Sequence, residues 1–584
     1  MRRRSLADSV CVALCAGALA GVLLAAREIA SQRFLEQGLV RLPWLVLRDA
    51  WTAQALRFAA FLPATVLGLA WVRALRGRSR VAGAALAGGL GVGASLGLQW
   101  LLAGPWPGWW RVDPLARFAA TLLGAGAIAA LALRGGVAPA PAAALRRALR
   151  AGAIATGAAL LALHVAIQLA ARLQPVAGPN VVLVVVDTLR ADHVGAYGYA
   201  RSTTPHLDAF ARDAVTFRNA VAAAPWTIPS MAAALTSRFP SEVYGPGAPV
   251  ARGHLLLAEL FRDAGYATAG FVSHLNVSSQ LGFDQGFETW DQDDARGDDH
   301  VSSESLTRKA VAFLERHRDR RFFLLVHYFD PHVAYQLHRG CDFDPGYRGV
   351  VRNGVGFGEL GSLVPRLSAR DLDRVRALYD SEICHTDGQI GRLLGRLREL
   401  GLYRDALIAV TADHGEEFAE RGPRVGHGKH LHQELVHVPL LIKPPGPGRA
   451  AASDAWVSLV DLAPTLAHLA GLGAAPSAFR GRALELPGPR EGPVFSENDG
   501  QEAVILDGWK LMRRDGGREA ALYDLGSDPA EATDLSPREP ERARRLAAAL
   551  DAWRRGLAPL APARRAALFD EEEIARLRAL GYAQ

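Results

Sequence analysis

Asn180-Val181-Val182-Leu183-Val184-Val185-Val186-Asp187 is an unbroken aliphatic run that ends on a carboxylate. A run of this length without a polar break reads as a strand buried on both faces. A second run, from Ala406 to Val410, leads to Asp413-His414. Between them, Trp226-Thr227-Ile228-Pro229-Ser230 places a hydroxyl beside a helix-start signal. Carboxylates and an imidazole at strand ends, together with a hydroxyl, are the parts of a metal-assisted ester-cleaving or ester-transferring site.

Working outward, strand-like runs at 181–186, 268–272, 322–327 and 406–411 alternate with helical patterns at 205–214, 229–236, 304–317, 369–400 and 459–471. Alternation of this kind predicts an α/β domain with a large, mostly parallel sheet, assigned here to residues 178–475. Functional groups in such sheets collect at the carboxyl ends of the strands, where Asp187, His327 and Asp413 fall. Pro/Gly-rich stretches at Lys443–Arg449 and Pro476–Pro489 then loosen the chain. Short runs at Val494–Ser496, Ala503–Leu506, Lys510–Met512 and Ala521–Tyr523 predict a small antiparallel sheet within 476–584. Helices at 538–556 and 570–580 would close it.

Residues 1–175 differ in kind. Five apolar stretches, roughly 8–26, 55–72, 82–103, 117–133 and 152–171, are long enough for about five transmembrane helices of about 20 residues each. The net charge of +7 does not imply nucleic acid, because Arg clusters flank these stretches: Arg2 to Arg4, then Arg73, Arg76, Arg78 and Arg80, then Arg146, Arg147 and Arg150. With the Arg-rich loops inside, an odd number of spans would deliver the later domain outside the cytoplasm, in the periplasm of a bacterium. The expectation is therefore a multi-pass integral membrane protein in contact with the lipid bilayer. Lys occurs only at 309, 429, 443 and 510. No zinc-like Cys spacing is present, and Cys341 and Cys384 allow either a disulfide or two thiols.

Residues 179–584 resemble the sulfatase branch of the alkaline phosphatase superfamily. The resemblance is carried by Asp187-Thr188-Leu189-Arg190-Ala191-Asp192-His193, Gly195-Ala196-Tyr197-Gly198-Tyr199 and Trp226-Thr227-Ile228-Pro229-Ser230. It continues in His327-Tyr328-Phe329-Asp330-Pro331-His332, Thr411-Ala412-Asp413-His414-Gly415-Glu416, Gly426-His427-Gly428 and Val438-Pro439-Leu440, and in the tail Leu522-Tyr523-Asp524-Leu525. Each piece alone is common, and their joint order over some 400 residues is specific. The resemblance implies an alkaline-phosphatase-like α/β domain and one or more divalent ions held by Asp187, Asp413, His414 and Thr227. Calcium, magnesium, manganese and zinc all suit such a set. It further implies His332 and His427 as groups that hold the oxyanion or protonate the leaving group, with His327 and Lys429 toward the substrate.

Two departures matter. Many sulfatases carry a second acid directly after the first, where this chain has Thr188. Typical sulfatases have Cys or Ser at the position of Thr227, converted to an aldehyde hydrate, and Thr offers no comparable route. The same place is Thr in the lipoteichoic acid synthases and phosphoethanolamine transferases of the superfamily, where the hydroxyl attacks phosphorus directly. Three functions are thereby expected in order: transfer or hydrolysis of a phosphate-type ester through Thr227 on a lipid-linked or envelope glycan; hydrolysis of glycan or aryl sulfates; and a degenerate envelope-binding module without activity. Arg190 and Asp192 read as a structural ion pair, and the acidic cluster Asp291–Asp299 as a solvated loop. Substrate, ion and oligomeric state stay open.

Overall fold

The computed structural model describes residues 178–558, apart from 245–249, 251–252, 297–301, 333 and 474–475. All described residues belong to one unit, Val176–Gln584. The five apolar stretches expected to cross a membrane lie outside the described residues. The expected multi-pass localisation is corrected: among the described residues, no helix is long and apolar enough to cross a membrane.

Ten strands in chain order form the larger part of the fold: β1 (Val181–Val186), β2 (Val215–Val221), β3 (Ala267–Val272), β4 (Thr289–Asp291), β5 (Phe322–Tyr328), β6 (Leu407–Ala412), β7 (Glu417–Phe418), β8 (Val425–Gly426), β9 (His437–Lys443) and β10 (Ala451–Ser458). Eight of them make one sheet in the order β10-β2-β9-β6-β1-β5-β3-β4, while β7 and β8 pair separately. Every pair in the sheet is parallel except the two that β9 makes with β2 and β6. The aliphatic run Val181–Val186 is its centre. β1 lies between β5 and β6, every one of its residues is buried, and Val186 pairs with both Tyr328 and Ala412. Aliphatic side chains on both faces of such a strand need helices on both sides, which parallel crossovers supply.

Three helices position the site. α1 (Thr227–Thr236) has all ten residues buried. α2 (Ser303–His317) precedes β5, and α3 (Ala369–Glu399) spans 31 residues behind a capping box at Ser368 and Asp371. A disulfide joins Cys341 to Cys384, fastening the segment after β5 to the middle of α3.

Strands β11 (Val494–Asn498), β12 (Gln501–Leu506), β13 (Trp509–Arg514) and β14 (Glu519–Asp524) form the expected antiparallel sheet in sequence order. Val504, Leu511 and Leu522 from this sheet pack against Leu546 and Leu550 of α4 (Pro540–Gly556). The further helix expected at 570–580 lies outside the described residues.

Two lysines are fully buried. The ammonium of Lys443 donates to the carbonyls of Arg404, Ala406, Pro444 and Gly446 at 2.7–3.3 Å. Lys510 pairs with Glu531 at 2.7 Å and donates to the Gln433 side chain and the Leu431 carbonyl. Of the other two, Lys309 bonds Asp291 and Asp294, which anchors the start of the acidic loop, and Lys429 is exposed.

Candidate active site

The parallel register brings the ends of β1 and β6 side by side, and the residues that follow them turn into one buried pocket of ligands. The Asp187 N–H donates to the Tyr328 carbonyl at 2.8 Å, fixing the carboxylate at the sheet edge. Asp413 Oδ1 accepts from the backbone N–H groups of Thr188 at 3.2 Å and His414 at 2.9 Å. Both carboxylates are buried, yet Asp187 Oδ1, Asp187 Oδ2 and Asp413 Oδ2 accept no hydrogen bond. Burying carboxylate oxygens without donors costs several kcal/mol, so such a cluster is stable only with a cation.

His414 faces the same point. Its Nδ1 donates to the Gly415 carbonyl at 2.9 Å, which leaves the Nε2 lone pair directed inward. Nε2 lies 3.6 Å from Asp187 Oδ1, 3.4 Å from Asp413 Oδ2 and 3.2 Å from Thr227 Oγ1. Gly415 permits a close approach of two segments: an added Cβ would sit 2.1 Å from the Glu434 carbonyl oxygen. Thr227 is fully buried as the first residue of α1, and Ser230, one turn on, donates from Oγ to the Asp413 carbonyl at 2.6 Å. The helix start and the strand end are thus stitched together. The helix begins at Thr227, two residues before the Pro229 expected to mark it.

His327 falls elsewhere than expected. The sequence reading set it toward the substrate, but its Nε2 lies 3.9 Å from Asp413 Oδ2, and its ring groups with Asp187 and Asp413, all three ligand atoms lying within 4.8 Å of one another. That spacing is too long for a hydrogen bond and suits ligands that share an ion. His274, which follows β3, is a site residue the sequence reading missed. Its Nδ1 lies 3.2 Å from Asp187 Oδ2. Burial and the neighbouring His327 push its imidazole well below its ordinary proton affinity. The signal available was its place at a strand's carboxyl end.

Neither carboxylate keeps its ordinary proton affinity. Burial and repulsion from Asp413 raise Asp187 well above the usual carboxylate range. Burial would raise Asp413 as well, but His414, His327 and the Thr188 N–H outweigh it and hold Asp413 down to about 2. Two like charges this close cannot both persist without a counter-ion. The residues present therefore fit a divalent cation.

The opposite wall is aromatic and basic. The His332 and His427 rings lie 5.0 Å apart, and His427 is 4.5 Å from the His414 ring. His427 Nδ1 is 2.8 Å from Oε1 of Glu416, which is fully buried, and Oε2 of Glu416 accepts from the Tyr335 hydroxyl at 3.0 Å. This bond aims the remaining ring nitrogen of His427 away from Glu416. Glu416 belongs to the motif Thr411–Glu416, which on its own gives it no role. Lys429 is not gathered with these groups: its side chain is exposed, and its carbonyl accepts from Gln501 at 2.8 Å.

A second group, His430, His432 and Glu434, is also buried and closely spaced. Its carboxylate is already bonded twice by Arg421, at 2.7 and 3.2 Å, and Lys510 and Arg424 pair with the neighbouring Glu531 and Glu417. Cations already match the carboxylates there, so the group reads as a structural charge network.

A mostly parallel sheet with paired carboxylates, an imidazole and a helix-borne hydroxyl at its strand ends defines an alkaline-phosphatase-like α/β protein. The sulfatase family model matches residues 179–472, about half of the chain, and the chain belongs to the sulfatase family of that superfamily. It is 26% identical over 332 residues to an ulvan-active sulfatase of Formosa agariphila, covering 50% of this chain and 62% of that protein. It is 26% identical over 436 residues to the steryl-sulfatase of Mus musculus, covering 53% and 63%. The chain thus spans somewhat under two thirds of each of these relatives. A solved phosphonate monoester hydrolase from Silicibacter pomeroyi shares the fold, with a TM-score of 0.55, 20% identity and coverage of 65% of this chain and 96% of that one.

Proposed function

We propose that the chain is a metal-dependent enzyme acting on sulfate- or phosphate-type esters, with Thr227 as its nucleophile and phosphoryl-type transfer as the preferred reaction. The observation that supports this reading is the position of Thr227 Oγ1. It is buried at the start of α1, 3.2 Å from His414 Nε2, beside two carboxylates of which both Asp187 oxygens and Asp413 Oδ2 lack donors. Asp187, Asp413, His414 and Thr227 would hold the ion, which when bound lowers the proton affinity of the hydroxyl and polarises the ester oxygen.

The protein's own groups do the rest. Thr227 would react as the alkoxide, its proton passed to solvent; the bond from Oγ to phosphorus forms as the bond to the leaving oxygen breaks. The positive end of the α1 dipole favours the anionic group that is transferred. His427 gives its proton to the leaving oxygen, and Glu416 orients the ring through Nδ1. His332 stands beside it as a second donor to the oxyanion. Lys429, two residues beyond His427 and exposed, is available to charge on the outer part of a substrate. Water or an alcohol then releases the group from Thr227. The relatives' names, which include ulvan, support a glycan ester as the substrate class.

The test is a panel of aryl and glycan phosphate monoesters, phosphodiesters, phosphonates and sulfates, with Thr227→Ala beside the wild type. Loss of kcat/KM by at least about a thousandfold on the preferred ester is expected. Turnover that survives the substitution would sink the nucleophile assignment. A second reading, sulfate-ester hydrolysis, is favoured by the sulfatases among the relatives, and a sulfate as the best substrate in the same panel would select it.

A further inference from the structure

We infer that Thr188 Oγ1 and His327 Nε2 complete the ligand set around Asp187, Asp413 and His414, and that this set selects zinc over calcium or magnesium. The inference rests on the metal-dependent reading of the site and specifies its donors.

Thr188 carries the first observation. Its φ is 56°, in the left-handed region that β-branched residues rarely adopt. The surroundings enforce that conformation. The Thr188 N–H donates to Asp413 Oδ1 at 3.2 Å, and its carbonyl accepts from the Tyr379 hydroxyl at 2.6 Å. Successive side chains of a strand point to opposite faces, so Asp187 and Thr188 can meet one point only if the chain turns between them. This backbone makes that turn. The hydroxyl it positions is fully buried and has no hydrogen-bond partner, as is true of both oxygens of Asp187 and of Asp413 Oδ2. Four unpartnered oxygens from three residues that touch through one backbone bond leave a single economical solution, a shared cation. Strain of this type is retained where it positions a functional group.

His327 carries the second. It is fully buried in β5, paired in register with Val185 and Val272, and neither ring nitrogen makes a hydrogen bond. Its Nε2 shares the space of the two carboxylates.

The chemistry follows from the donor types. Where many sulfatases place a second acid, this chain has a neutral hydroxyl. With His327 and His414 the set holds two imidazoles, two carboxylates and hydroxyl oxygen. Calcium and magnesium favour shells made of oxygen, whereas imidazole favours zinc and its neighbours.

The full chain, stripped with a chelator, would be titrated with cobalt, whose visible absorption reports coordination, and then challenged with zinc or calcium. One cobalt per chain, displaced by zinc and retained against an equal concentration of calcium, is expected. Thr188→Val and His327→Gln should each weaken zinc binding by roughly ten- to a hundredfold. Thr188→Asp should move the preference toward calcium. Thr188→Gly adopts a φ of 56° without strain. It should keep or raise the thermal midpoint of the stripped protein while still losing zinc affinity, which separates a ligand from a strained bystander. Variants that bind zinc as tightly as wild type, or calcium bound as tightly as zinc, would overturn the inference. A wild-type chain that binds no ion would instead overturn the metal reading beneath it.

Discussion

At the residue scale the site is a set of groups held by bonds that leave one atom of each directed inward. His414 spends Nδ1 on the Gly415 carbonyl, and His427 spends Nδ1 on Glu416. The second of these makes Glu416 a positioning residue whose effect depends on the substrate. Glu416→Gln removes the carboxylate that orients the proton-donating His427 ring through Nδ1. It should lower kcat by about a hundredfold on esters with alkyl or sugar leaving groups, which need a proton, and far less on nitrophenyl esters. Equal losses on both would show that Glu416 is only structural. The structure gathers Asp187, Asp413, His414, Thr227, His332 and His427, each of which the sequence offers in a short motif whose order along the chain is specific. His274 and Glu416 were not singled out, since their roles arise from contacts between segments far apart in sequence. The neighbours of His327, Asp187 and Asp413, were not readable for a related reason. Its position at a strand end was readable, but which face it shared with Asp413 depended on the register of β5, β1 and β6.

At the scale of elements, the aliphatic strands β1, β3, β5 and β6 and the long helices announced themselves by periodicity. Strands β2, β9 and β10 did not. β2 carries Arg218 and Asn219, and β10 carries the exposed Asp454 at the sheet's edge. β9 holds Pro439, which cannot donate to a ladder and normally argues against a central strand. The sheet accommodates it with an irregular register between Phe217 and Ala220, while the Pro439 carbonyl still accepts from Thr411. The disulfide also acts at this scale. It closes a loop with a sequence separation of 43, and the chain-entropy cost of opening it is about 4 kcal/mol at most. Cys341→Ser should therefore lower the denaturant midpoint, while kcat/KM at low denaturant stays near wild type. A midpoint unchanged by reduction of the native chain would show that the link carries no stability.

At the scale of the whole molecule, the catalytic sheet and the small antiparallel sheet meet through a buried network of charges. Arg421, near β7, bonds Glu434 and the carbonyls of Ala530 and Glu531, while Lys510 of β13 pairs with Glu531. His432 sits among these cations. Burial, then Lys510 and Arg421, with His430 and Arg514 behind them, push its imidazole far below its ordinary value of 6.5. In the unfolded chain it takes up a proton below about pH 6.5, and in the folded chain it does not. The stability it contributes is complete above that pH and is lost as the pH falls. Chemical denaturation of the wild type from pH 7 down to pH 5 should show that decline, and His432→Gln should flatten it. An identical slope in the variant would assign the decline to other groups. The two-sheet architecture itself was readable from the Pro/Gly breaks and the short alternating runs after residue 490. The charge network was not, because it depends on tertiary contacts between elements up to 110 positions apart.

The scarcity and burial of lysine bear on how the protein can be handled. Lys443 is enclosed by four carbonyls, Lys510 is sealed between the sheets, and Lys309 is clamped by two carboxylates. An amine-reactive dye or resin therefore finds one open side chain among the four, Lys429, two residues from His427. Conjugation through side-chain amines will be nearly uniform, and the label will stand beside the catalytic pocket. A fluorophore placed there would report substrate entry directly, whereas a solid support coupled the same way would obstruct it.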